Sequence, residues 1–427
     1  MREPAARITT LSNGLRVVTV ALPHHRSVAL GAWIAAGTRD EAPEEAGLAH
    51  FLEHMAFKGT SRRSARRIAE EIEDVGSTLD AHTTREHTAY YARVLPEDVP
   101  LALDLVVDLV RRAALDPEEL ARERQVVLQE IAEVTDAADE WVFERAQETA
   151  FPDQGLGWPI LGRRETVAAF DRARTRAFLA RHYTAARTVV AAAGPLEHGR
   201  FVAEVAALLG DLEAGAPPAR TPPRYRGGEV HEPRDLDQTH VVLAFPAVGL
   251  VHEDHYAQHL FSHILGGGMA SRLFQEVREA RGLAYSVFSF TNVYHDAALL
   301  GTYASTEPAR AGELVRVMAE EIARLAAEGP EPGELARAVR QAEAGLLMAL
   351  DSVTAVVEDT ARQVHHFGRR LGVDELRARI EAVTPADVRR AGRRLLASPP
   401  TLAVVGPGET VPHRDELCRR LGAPSTA

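Results

Sequence analysis

The chain has almost no cysteine. Cys418 is the only one among 427 residues, so an internal disulfide and a cysteine-built metal site are both excluded. Such sparse thiol fits a reducing compartment. Long apolar runs are missing as well. None approaches the ~20 residues that cross a bilayer, so no membrane partner is expected. Residues 1–8 (MREPAARI) lack the apolar core, roughly 7–15 residues long, of a secretory leader. Excess positive charge is missing too. The formal net charge is −12, which argues against nucleic acid as a partner. These absences lead to the expectation of a soluble, cytoplasmic protein.

What is present is an ordinary globular balance, 45% hydrophobic and 26% charged. At roughly 100–200 residues per domain, the length implies two domains or more. Residues 213–229 (EAGAPPARTPPRYRGGE) carry enough proline and glycine to block helix and central strand, and read as a linker at mid-chain. The halves around it look related. VVAAAGP at 189–195 matches TLAVVGP at 401–407, and ALGAWIAA at 29–36 lies opposite VVLAFPAV at 241–248. The shared offset points to tandem duplication. The expected domains are 1–212, the linker 213–229, and 230–427. Each half mixes strand and helix patterns. Asn13-Gly14 signals a hairpin turn. Residues 101–110, 118–134, 308–327, 331–350 and 386–396 read as helices, and Gly266-Gly267-Gly268 as a helix-ending turn. The expected class is α+β, two homologous α/β-sandwich domains.

The chemistry concentrates in residues 47–60 (GLAHFLEHMAFKGT). On a helix, His50 and His54 lie about 40° apart around the axis, so both imidazoles share one face. That spacing suits two nitrogens on one tetrahedral zinc. Glu53, about 60° from His50, can reach a water beside the metal without displacing a histidine. This is the H-x-x-E-H order of inverzincins. An exposed helix face that carries two histidines and a glutamate would read the same way. A third ligand is also required. Glu123 and Glu130 are seven apart on a helical stripe, but by pattern alone they read as a solvated acidic face, with Val126, Val127 and Ile131 turned to the core.

HFLEH followed by ERQVVLQEI resembles the pitrilysin/insulysin/mitochondrial processing peptidase family of zinc metallopeptidases. The match continues through 76–91 (GSTLDAHTTREHTAYY). It resumes in the second half at 265–274 (LGGGMASRLF) and 277–285 (VREARGLAY), so it spans nearly the whole chain. The length resembles the short bacterial and mitochondrial-type members. The resemblance implies one zinc per chain held by His50, His54 and Glu130, with Glu53 as general base and Glu123 as a supporting glutamate. It also implies an Arg278–Tyr285 pair that holds substrate and steadies the tetrahedral intermediate. Asp80, Ala81 and His82 are the expected substrate-pairing edge. Asp80 departs from members with Asn there, which puts a donor role at that position in doubt. His24-His25 and His365-His366 diverge on helix or strand and are not expected to be ligands.

The implied activity is zinc-dependent hydrolysis of unfolded or flexible peptides. The implied partner is a second copy, since long family members enclose a chamber with four such domains; a heterodimer stays open. The competing class is a non-catalytic structural or partner subunit, and such subunits generally lose part of the HxxEH set.

Overall fold

A computed structural model describes residues 5–425. Residues 1–4, part of the stretch read for a leader, lie outside it. Eleven strands form two sheets among the described residues. The first contains β1 (Ala6–Thr10), β2 (Arg16–Ala21), β3 (Val28–Ile34), β4 (Leu79–Thr83), β5 (Thr88–Val94) and β6 (Thr188–Gly194), in the order β1-β2-β6-β3-β5-β4. The second contains β7 (Gly228–Glu232), β8 (Thr239–Ala247), β9 (Val287–Val293), β10 (Ala298–Thr306) and β11 (Thr401–Val405), in the order β7-β11-β8-β10-β9.

Setting β1 aside, the sheets are topologically equivalent. β2 and β6 pair in parallel, as do β7 and β11; the other neighbours are antiparallel in both. This is the duplication expected from the shared offset. The Asn13-Gly14 turn joins β1 to β2, with Thr10 opposite Arg16 and Gly14 at φ +93°, where a glycine is at ease. The coil after Leu209 covers most of the linker, but Gly228 and Glu229 already belong to β7. The triple glycine ends the helix His255–Gly266, as expected.

The chain folds as two compact units that interleave in sequence, whereas the linear reading expected successive halves. One comprises 1–131, 159–221 and 346–373. The other comprises 132–158, 222–345 and 374–427. Each unit has helices on both faces of its sheet. In the first, the helices Leu48–Ala56, Val99–Arg112 and His198–Leu209 cover one face, and Val353–Phe367 covers the other. There, Val353, Val356, Val357 and Val364 lie on Val18, Val20, Trp33 and Val189. In the second unit, Ala311–Glu328 and His255–Gly266 pack on one face and Ala138–Ala150 on the other. Among the described residues no helix is long and apolar enough to cross a membrane.

Candidate metal centre and active site

His50, Glu53 and His54 lie on the helix Leu48–Ala56. Phe51, Leu52 and Met55 fill the core on its opposite side, and this fixes which face the imidazoles present. The helix begins at Gly47, with φ +93° and no capping side chain. A Cβ at Gly47 would come within 2.5 Å of Gly162 Cα, so the backbone admits only glycine. The missing cap is supplied from upstream. Buried Glu41 accepts from Gly47 N at 2.9 Å and from Ala49 N at 2.7 Å.

Glu123 and Glu130 lie on the helix Pro117–Asp136, whose stripe does not face bulk water. Val127 and Ile131 are buried as expected, but Val126 is 48% exposed. The rotation that turns Val126 outward brings both glutamates against the histidine helix. His50 Nε2 is 3.7 Å from one Glu130 oxygen, and His54 Nε2 is 3.6 Å from the other. The ligand atoms of the three residues lie within 4.8 Å of one another. Two ligands on a tetrahedral zinc, each about 2.0–2.1 Å from it, stand about 3.3–3.4 Å apart. The observed separations are long for hydrogen bonds and close to such an edge, so the donor set fits a zinc ion.

The protonation of His50 favours the same use. Burial, then neighbouring His54, pushes the His50 imidazole down to about 3, so its lone pair is kept. Its Nδ1 is buried without a hydrogen-bond partner. Burial would also lower His54, but the Glu123 hydrogen bond and the nearby carboxylates raise it. His54 Nδ1 donates to Glu123 Oε1 at 2.8 Å, which fixes the tautomer and leaves Nε2 for a metal. The other Glu123 oxygen meets Lys58 Nζ at 2.8 Å. Burial raises the Glu53 carboxyl, against a hydrogen bond from the Thr83 hydroxyl.

Thr83 ends β4, the edge strand of its sheet. Asp80, Ala81 and His82 lie on that edge too. Asp80 Oδ1 accepts from Ala81 N at 2.8 Å, Tyr91 donates its hydroxyl to Asp80 Oδ2 at 3.3 Å, and His82 sits 3.3 Å from His87. Arg278 and Tyr285 belong to the other unit. Arg278 lies near the end of the π-helical segment Phe274–Glu279, stacks 4.2 Å over the Tyr285 ring and donates to the Tyr285 carbonyl at 3.2 Å. Tyr285 is 81% exposed.

Glu41, Lys58 and the contact of Thr83 with Glu53 escaped the reading of the sequence, because nothing in their spacing marks them. One signal was legible and passed over. His259-Leu260-Phe261-Ser262-His263 repeats HFLEH with serine for Glu53. Ser262 donates to Ser289 on β9, the counterpart of β4, as Thr83 meets Glu53. His263 Nε2 lies 2.5 Å from Gln341, which is seven residues after Glu334, the spacing of Glu123 and Glu130. The second unit therefore keeps the scaffold of the candidate centre, with serine where Glu53 stands and glutamine where Glu130 stands.

A family model described as insulinase (peptidase family M16) matches residues 16–164. One described as the peptidase M16 inactive domain matches 169–342. An uncharacterized zinc protease of Streptomyces coelicolor is 39% identical over 410 residues, 94% of this chain and 89% of that protein. Another from Rickettsia bellii is 38% identical, over 94% of this chain and 97% of that protein. A chain of complex III2 from Candida albicans, with Inz-5 bound, has the same fold at a TM-score of 0.85 and 22% identity. The match covers 97% of this chain and 99% of that one.

Proposed function

The chain belongs to the insulinase (M16) peptidase family, and on that premise we propose that it is a zinc endopeptidase acting on unfolded or flexible peptides. The observation that carries the reading is the spacing of His50, His54 and Glu130, an edge length suited to one tetrahedral ion, with Glu53 beside it on the same helix. His50 and His54 would hold zinc through Nε2 and Glu130 through its carboxylate. When bound there, zinc supplies Lewis acidity toward a peptide carbonyl and eases deprotonation of water.

The residues of the chain do the rest. Glu53 takes the proton from the attacking water and delivers it to the leaving amine. Thr83 holds its carboxylate toward the site while burial keeps it basic. Glu123 fixes the His54 ring. An extended peptide would add to β4 along 80–83, where backbone pairing recognises a strand of any sequence. The family resemblance gives Arg278 and Tyr285 the role of donors toward the tetrahedral intermediate. The same reading has a homodimer in the cytoplasm.

A non-catalytic subunit is the second reading, favoured by the inactive-domain match and by the degenerate HLFSH. Those features lie in the second half, while the complete ligand and base set lies in the first. This supports one working centre per chain over an inert protein. The test pairs zinc content with cleavage of a mixed peptide set by wild type and Glu53→Gln. About one zinc is expected at this centre in both proteins, with turnover reduced about 10²–10⁴-fold in the variant. Equal cleavage by the two proteins would sink the mechanism.

A further inference from the structure

The second unit holds another group of metal-ligating side chains. Glu229 and His231 are two apart on β7, an edge strand, so both side chains leave the same face. His413, the residue that precedes the helix Arg414–Leu421, closes over them. His413 Nδ1 lies 2.7 Å and His231 Nε2 lies 2.8 Å from the same Glu229 oxygen. The three ligand atoms lie within 4.8 Å of one another.

A hydrogen-bonded cluster accounts for only part of this. His413 Nδ1 bonds Glu229 Oε1. His231 Nε2 is buried and makes no hydrogen bond, although the carboxylate is so near. A buried ring nitrogen facing an oxygen out of line for a bond is a cost. A cation between them removes it, by taking a lone pair from each imidazole and one from the carboxylate. The other Glu229 oxygen is engaged by Arg414 N at 2.7 Å, so Oε1 alone is offered.

We propose that Glu229, His231 and His413 bind a divalent transition-metal cation of the zinc class. Two imidazoles and a carboxylate suit zinc, nickel or copper, whereas magnesium and calcium take all-oxygen shells. Binding must widen the ligand contacts to about 3.3 Å. The His413 side chain, 85% exposed, has room to swing outward.

Equilibrium dialysis of the full chain against zinc chloride, with the metal counted by emission spectroscopy, tests the site. About two zinc ions per chain are expected in wild type, and about one each in His413→Ala and His50→Ala. Peptide cleavage should be unchanged in His413→Ala. His231→Ala is the second variant and should also lose one ion. Two ions in both His413→Ala and His231→Ala would overturn the proposal, as would one ion in both wild type and His413→Ala. One ion in wild type that His413→Ala loses would uphold this site while removing zinc from the first.

Discussion

Among 49 lysine and arginine residues, one is lysine, and it is Lys58, whose ammonium meets the glutamate that orients His54. Everywhere else the chain uses arginine as its cation. A compact ammonium fits beside the buried Glu123 carboxylate where a planar guanidinium fork is broader and asks for two acceptors. Lys58→Met should weaken zinc binding about tenfold, the lower range for partners of a metal ligand, and Lys58→Arg should recover part of the loss. A chelator-competition titration measures this; unchanged affinity in Lys58→Met would make the lysine incidental. At this scale the sequence was partly legible. His50, Glu53 and His54 follow from spacing along one helix. Glu123 and Glu130 did not follow, since an acidic stripe looks the same against water or against two imidazoles. Only the family pattern separated them. The bond from Thr83 to Glu53 was invisible because the two residues are thirty apart.

The helix Leu48–Ala56 has only nine residues, too few to be stable alone. Its first turn depends on Glu41. Glu41→Ala leaves two buried N–H donors without an acceptor, a loss of about 2–4 kcal/mol, and should loosen zinc along with the helix. Glu41→Gln keeps one acceptor and should lose less. The pH dependence has a definite sign. Burial raises the Glu41 carboxyl from 4.5 to about 8, against the pull of the two N–H donors. The folded chain then holds this proton more tightly than the unfolded one, so its contribution to stability falls as pH climbs from 4.5 to about 8. Urea midpoints across that range should fall more steeply in wild type than in Glu41→Gln; parallel curves would rule this out. Helices were readable as elements because their apolar period is strong. The 308–327 reading became a short 3₁₀ turn at Pro308–Arg310 followed by Ala311–Glu328. Glu41 was not readable, since a cap that arrives from a preceding loop leaves no local pattern.

The two sheets were foreseeable from repeated apolar runs at a common offset. Which helix covers which sheet was not, because an apolar stripe does not name its partner. The helix Val353–Phe367 comes from the second half yet covers the first unit's sheet. Its four buried valines, at about 1.5–3 kcal/mol each, contribute roughly 6–12 kcal/mol, comparable to a typical net stability of about 5–15. Residues 1–221 expressed alone should therefore expose Val18, Val20, Trp33 and Val189 and aggregate, and adding 222–427 should restore cooperative unfolding. A soluble, cooperatively unfolding 1–221 fragment would refute this. The same interleaving sets a clock during synthesis. Between Thr221 and Phe367 lie about 150 residues, which a ribosome adds in roughly 8–30 seconds at about 5–20 residues per second. For that interval the emerging first unit carries a bare valine-rich sheet face, while the helix Ala138–Ala150, made early, waits for a sheet not yet translated. Newborn chains are thus most exposed to aggregation, and most in need of a chaperone, well after His50, His54 and Glu130 have left the ribosome.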